Sequence, residues 1–282
     1  MILVTGAAGK TGLHALRALE ARGLAARALV RRPEQEEIVR RAGASEVQVG
    51  DLTDPSDLAR ACDGVSAIYL VCPNLHDGEL DIAGAVMDAA LRSGAPHLIY
   101  HSVLHPQTTS MPHHWRKLQV EEKVFESGLP FTILQPCAYL QNLEPYVDEA
   151  RRTGQLVVPF DVDKPFSMVD LRDVAEVVAA LVVTVATEPA AHRYATYELC
   201  GAPLSHRQVA DELGRRFGRP VTARSISIDT WRAAATGLDA RRLDELCKMF
   251  AYYDRHGFVG GSGVLRSLLG REPRGLATES EA

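Results

Sequence analysis

Three glycines near the start of the chain constrain its fold more than any other feature. The apolar run Ile2-Leu3-Val4-Thr5 leads directly into Gly6-Ala7-Ala8-Gly9-Lys10-Thr11-Gly12. The stretch Lys10–Arg22 then carries Leu13, Leu16 and Leu19 on one side and stops at Gly23, as a helix would. A strand, a Gly-x-x-Gly-x-x-Gly turn and a helix in that order make a cradle for a pyrophosphate. Gly6 permits the tight turn, Gly9 lets the backbone approach the phosphates, and Gly12 lets the helix pack close to the sheet. The helix N-terminus, with Ala8, Lys10 and Thr11 around it, offers amides and partial positive charge to an anion. Gly9-Lys10-Thr11 imitates the end of a P-loop, but the first glycine of that motif would fall at Val4, inside the strand.

The rest of the first half keeps the same rhythm. Candidate strands are Ile2–Thr5, Ala25–Val30, Glu46–Val49, Ala67–Cys72, His97–Ser102 and Phe131–Gln135, with amphipathic stretches between them. Such alternation predicts an α/β fold with a doubly wound parallel sheet, covered on both faces and joined by helical crossovers. After about Pro145 the pattern changes. Leu156–Phe160, Phe166–Val169 and Val221–Ile228 read as strands, and Leu171–Val185 and Ser205–Phe217 as helices, the latter with Ser205 as N-cap. The remainder is mostly helical to Leu269, and Arg271–Ala282 is a polar tail.

Bulk properties exclude several classes. Net charge is 31 minus 36, or −5, against the basic surface that nucleic-acid binding needs. No apolar stretch approaches the ~20 residues of a membrane span. Met1 leads straight into a strand, so no signal peptide is expected. Cys62, Cys72, Cys137, Cys200 and Cys247 are far apart without CxxC pairing, which predicts reduced, mostly buried thiols and a cytoplasmic protein.

Some twenty residues beyond the glycines, an acidic residue would mark NAD by bonding the ribose hydroxyls. The chain instead has Val30-Arg31-Arg32-Pro33. Two guanidiniums there suit a 2′-phosphate; the plainer reading is a solvated basic pair ahead of a helix starting at Pro33. The expectation is NADP(H) in preference to NAD(H).

Several motifs in sequence order resemble the NmrA-like branch of the atypical short-chain dehydrogenase/reductases. They are Thr5-Gly6-x-x-Gly9-x-x-Gly12, Val30-Arg31-Arg32-Pro33, Gly50-Asp51-Leu52, Gly128–Gln135 before Pro136, and Leu269-Gly270-Arg271-Glu272-Pro273. The resemblance implies a Rossmann core over residues 1–150 and a smaller α+β substrate-binding part over 151–282, with 165–187 packing back on the core. It also implies that Asp51 and Leu52 contact adenine, and that Val71-Cys72-Pro73 lies beside the nicotinamide ribose. Pro136 to Tyr139 would line the nicotinamide and the substrate pocket. The family holds NAD(P)H-dependent reductases of quinones, dyes and related aromatics, and also regulators that bind the dinucleotide without doing chemistry.

Better-known relatives use Ser, Tyr and Lys, with Tyr-x-x-x-Lys on one helix face. There the Tyr protonates the substrate oxygen as hydride arrives. Here Ile99-Tyr100-His101-Ser102 ends the fifth strand, and Ser102 resembles the catalytic serine. Lys117 matches the family lysine, and His113 fills the slot four residues earlier where Tyr would stand. His113 or His114 could donate the proton or be polar surface. Tyr100 could simply pack in the sheet, and Tyr139 could reach the pocket or pack. No Cys, Asp or Glu at ligand spacing joins His101, His105, His113 and His114, so no metal is expected. These residues predict an NADPH-dependent oxidoreductase passing hydride to a carbonyl or quinone-like small molecule. The alternative is a non-catalytic NAD(P)(H)-sensing regulator that binds a protein partner. A monomer or homodimer, binding neither nucleic acid nor membrane, is expected.

Overall fold

The computed structural model describes residues 1–276, so the last part of the polar tail, 277–282, lies outside it. The chain divides into two compact units. The first comprises Met1–Pro106, Arg116–Gln135 and Leu171–Tyr197. The second comprises Gln107–Trp115, Pro136–Asp170 and the chain from Glu198 onward.

The main sheet takes β1 (Ile2–Val4), β2 (Ala26–Val30), β3 (Glu46–Val49), β4 (Ala67–Leu70), β5 (His97–His101), β6 (Phe131–Pro136) and β10 (Ala195–Leu199). Their order is β10-β6-β5-β4-β1-β2-β3, and the pairings from β3 to β6 are all parallel. The order reverses between β1 and β4, which is the doubly wound α/β pattern expected from the sequence. Strands β1, β4 and β5 are buried throughout. This is why they read as continuous apolar runs rather than alternating ones.

Helices α1 (Lys10–Ala21), α2 (Glu36–Arg41), α3 (Pro55–Cys62), α4 (Glu79–Arg92), α5 (Pro112–Glu126) and α7 (Leu171–Thr187) accompany these strands. Alternate strand residues, among them Leu3, Ile68, Leu70, Leu98 and Tyr100, share a core cluster with Leu58 of α3 and Ile82 of α4. Helix α1 buries Gly12, Ala15, Leu16 and Leu19, the spacing of a single helix face, and packs against α7. Asp54 caps α3 by accepting from the Ser56 and Asp57 amides at 2.8 and 3.0 Å, with Pro55 at the first helical position.

In the second unit, β7 (Ala138–Tyr139), β9 (Phe166–Val169) and β11 (Pro203–Leu204) form a small sheet, and β8 (Gln155–Val158) pairs in parallel with β12 (Thr222–Ser225). Its helices are α6 (Glu144–Thr153), α8 (His206–Phe217), α9 (Ile228–Ala234), α10 (Ala240–His256) and α11 (Gly263–Leu269). The core is aromatic: Phe166 meets Tyr253 at 4.9 Å and Phe258 at 5.6 Å between ring centroids. Ser205 and Gln208 form a reciprocal capping box at α8.

One sequence expectation is corrected and one strand is new. The run Val221–Ile228 is a strand only over Thr222–Ser225, because the Ser227 hydroxyl accepts from the Thr230 amide at 3.0 Å and starts α9. Strand β10 adds a seventh member to the main sheet that the sequence did not announce; most of its residues are only partly buried.

Candidate functional site

The glycine turn sits at the reversal point of the strand order. Thr5 is fully buried, and its amide donates to the Tyr69 carbonyl at 3.1 Å. Gly6 has φ +57°, and a Cβ there would lie 2.9 Å from the Val71 carbonyl oxygen, so two separate constraints require glycine. At Gly12 a Cβ would come within 2.5 Å of the Gly6 carbonyl oxygen and 2.6 Å of Ala7 backbone atoms. Gly9 differs. It is exposed, and a Cβ would meet only the Gly6 carbonyl oxygen, at 3.2 Å. Gly9 is the N-cap of α1, it brings no capping side chain, and the first turn of α1 holds no acidic residue. A helix start with no side-chain cap and bare backbone in front of it fits a pyrophosphate.

Arg31 and Arg32 follow β2. Their amides both donate to Gln35 Oε1 at 3.1 Å, which fixes the backbone and leaves the side chains outward. The Arg31 side chain is 83% exposed, with Nε 4.0 Å from Asp51 Oδ2. Asp51 follows β3, and its carboxyl accepts from the Thr53 hydroxyl at 2.7 Å and the Thr53 amide at 2.8 Å. Those bonds, with a smaller contribution from Arg31, hold it below the usual aspartate range. Leu52 packs half-buried against the core cluster. The ends of β2 and β3 thus set Arg31 and Asp51 side by side.

The ends of β4 and β5 carry the second group. Cys72, between Val71 and Pro73, is buried, and desolvation followed by Glu79 pushes its thiol up to about 12, which keeps it protonated near neutral pH. The Lys117 Nζ donates to Glu79 Oε1 at 2.7 Å and to the His101 carbonyl at 3.2 Å. It lies 5.5 Å from the centre of the Tyr100 ring. The Tyr100 hydroxyl also donates toward Glu79 Oε1, at 3.4 Å. Burial, reinforced by Glu79, drives that phenol well above its ordinary value. His101 pairs with the Tyr69 hydroxyl at 2.6 Å through Nδ1, and burial with Lys117 nearby lowers it to about 3. Ser102 donates its hydroxyl to Glu121. The Gln135 amide donates to both Glu121 oxygens at 2.9 and 3.0 Å. Burial raises the Glu121 carboxyl above its ordinary value despite these bonds.

Glu79 and Glu121 are the residues that sequence reasoning missed. Glu121 had a usable signal, since it stands one helical turn after Lys117 on α5. Glu79 had none: it is 38 residues from Lys117 in the chain and belongs to no motif.

The other expected site residues belong to the second unit. His113 is 9% exposed, with its ring edge-on to His114 at 4.4 Å; His114 in turn meets Phe258 at 5.7 Å. Pro136 closes β6, and Tyr139 lies opposite Val169 of β9. All five cysteines are buried thiols.

The chain is 29% identical over its whole length to the NAD(P)H azoreductase of Xenophilus azovorans, covering 97% of that protein. It is 33% identical to the (4-alkanoyl-5-oxo-2,5-dihydrofuran-3-yl)methyl phosphate reductase of Streptomyces griseus, over 83% of this chain and 80% of that protein. Among solved structures, the NADPH-dependent quinone oxidoreductase QOR2 of Escherichia coli, complexed with NADPH, is similar with a TM-score of 0.84. Its identity is 25%, covering 98% of this chain and 97% of that one. With the family model of the same group matching residues 1–277, the chain belongs to the NmrA-like family.

Proposed function

We propose that the chain is an NADPH-dependent oxidoreductase that reduces a quinone-like, dye-like or carbonyl-bearing small molecule. The observation that carries this reading is the Lys117 ammonium. Its side chain is only 15% exposed, and a buried carboxylate and a backbone carbonyl hold it at the carboxyl end of β5. In doubly wound sheets, ligands bind outside the carboxyl ends of the strands near the reversal of strand order. The azoreductase and quinone oxidoreductase relatives support the same class.

In this reading the bound dinucleotide supplies hydride. The turn from Gly6 to Gly12 seats the pyrophosphate through backbone amides. Arg31 and Arg32 hold the 2′-phosphate and set the preference for NADPH over NADH. Asp51 and Leu52 border the adenine, and Val71, Cys72 and Pro73 border the nicotinamide ribose. Lys117 orients the ribose and presents positive charge to the oxygen that becomes anionic. Ser102, tied to Glu121, orders the end of β5. The test is NADPH oxidation against a panel of quinones, azo dyes and ketones. Turnover with at least one aromatic acceptor is expected. Tight NADPH binding with no turnover across the panel would overturn the reading in favour of a regulator.

A further inference from the structure

We propose that Glu79 is a positioning residue for this reaction, holding the Lys117 ammonium at the point where it meets the ribose and the developing oxyanion. The inference rests on the reading of Lys117 given above.

Three observations carry it. The first is burial. The Glu79 side chain is 2% exposed and that of Lys117 15%. A buried ion pair is a poor device for stability, because desolvation offsets most of the attraction. Its presence at the strand ends therefore needs another reason. The second is donor accounting. An ammonium has three N–H groups, and Glu79 Oε1 and the His101 carbonyl take two of them. The third remains for water or a ligand. The third observation is the anchoring of Glu79 itself. It is the first residue of α4, where the helix dipole favours a carboxylate, and the Tyr100 hydroxyl directs a second donor at the same oxygen.

The other groups around Lys117 do not compete for it. Glu121 turns its oxygens to Ser102 and Gln135. Burial keeps the Tyr100 phenol and the Cys72 thiol protonated and His101 neutral. Glu79 is thus the carboxylate that fixes a long side chain which would otherwise sample many rotamers.

The test compares Glu79→Gln, Lys117→Ala and the double variant in the full chain. Turnover with NADPH and an accepted quinone, NADPH affinity from nicotinamide fluorescence, and the melting temperature of the protein without cofactor are measured. In Glu79→Gln, kcat is expected to fall about 10- to 100-fold, as for a misplaced catalytic group. NADPH affinity should change by less than about 3-fold, because the pyrophosphate and 2′-phosphate contacts are untouched. In the Lys117→Ala background, Glu79→Gln should leave kcat unchanged and raise the melting temperature, since it removes an uncompensated buried carboxylate. A Glu79→Gln protein with kcat within 2-fold of the parent, alongside an impaired Lys117→Ala, would overturn the proposal and leave the reading of Lys117 intact. Parallel loss of kcat, affinity and melting temperature would also overturn it, since a structural role alone predicts that. A fully active Lys117→Ala would instead remove the reading of Lys117 on which the proposal stands.

Discussion

The Thr5 hydroxyl donates to the Val71 carbonyl at 3.0 Å and accepts from the Val71 amide at 2.8 Å. One side chain thereby joins the ends of β1 and β4, where the strand order reverses, and does the work of a further ladder rung. Thr5→Val keeps the shape and strands both Val71 groups. The expected loss is about 1–3 kcal/mol, the usual cost of unsatisfied buried polar groups, read as a lower midpoint in urea. NADPH affinity should fall too, because Gly6 packs directly on Val71. An unchanged midpoint would show that water replaces both bonds.

The glycines of the turn should separate by role. Gly12→Ala forces a Cβ into backbone at 2.5 Å, and overpacking of this kind costs about 1–3 kcal/mol. Gly9→Val meets only the Gly6 carbonyl oxygen, at 3.2 Å, and should lower the denaturation midpoint less than Gly12→Ala does, while weakening NADPH by about 10-fold or more through loss of close approach. Equal NADPH affinity in Gly9→Val would mean that the phosphates lie elsewhere.

Cofactor choice is tested at the end of β2. Replacing Arg31 and Arg32 together by Ala should raise the Kd for NADPH while leaving that for NADH nearly constant. Each charge-assisted bond is worth about 1.5–3 kcal/mol, so the discrimination should collapse by at least about 10-fold. Parental protein that binds both cofactors equally would refute the role of the pair.

Stability should fall on mild acidification. Burial lowers His97 to about 4, His101 to about 3 and His206 to about 4. Between about pH 6.5 and 5 these rings stay neutral in the folded protein but protonate in the unfolded chain. The unfolded state then binds more protons, so unfolding free energy drops as pH drops, by up to about 1.4 kcal/mol per pH unit for each ring. Urea midpoints across that range check the sign. His101→Phe should flatten the slope by about one proton, and an unaltered slope would show that His101 is not held neutral.

The parts legible in the sequence were those whose cause is local. The buried parallel strands announce themselves as apolar runs, and Gly6 and Gly12 mark backbone approaches within a few residues of themselves. The chemistry around Lys117 was legible only as a position. Its partner Glu79 comes from the preceding crossover, brought near by the parallel pairing of β4 with β5, and no short window of sequence contains both. Strand β10 was silent for a different reason: partly exposed on the edge of the sheet, it lacks the apolar signature of the inner strands.

Glu79 begins α4 immediately after the loop that leaves β4 through Val71, Cys72 and Pro73. The length of that loop is therefore governed by an electrostatic partner outside it. Deleting or inserting one residue between Pro73 and Glu79 would turn the start of α4 by about 100° and swing the carboxylate away from Lys117. Exposed loops ordinarily tolerate such changes. This one should not, and the span 73–79 is expected to be held to a fixed length.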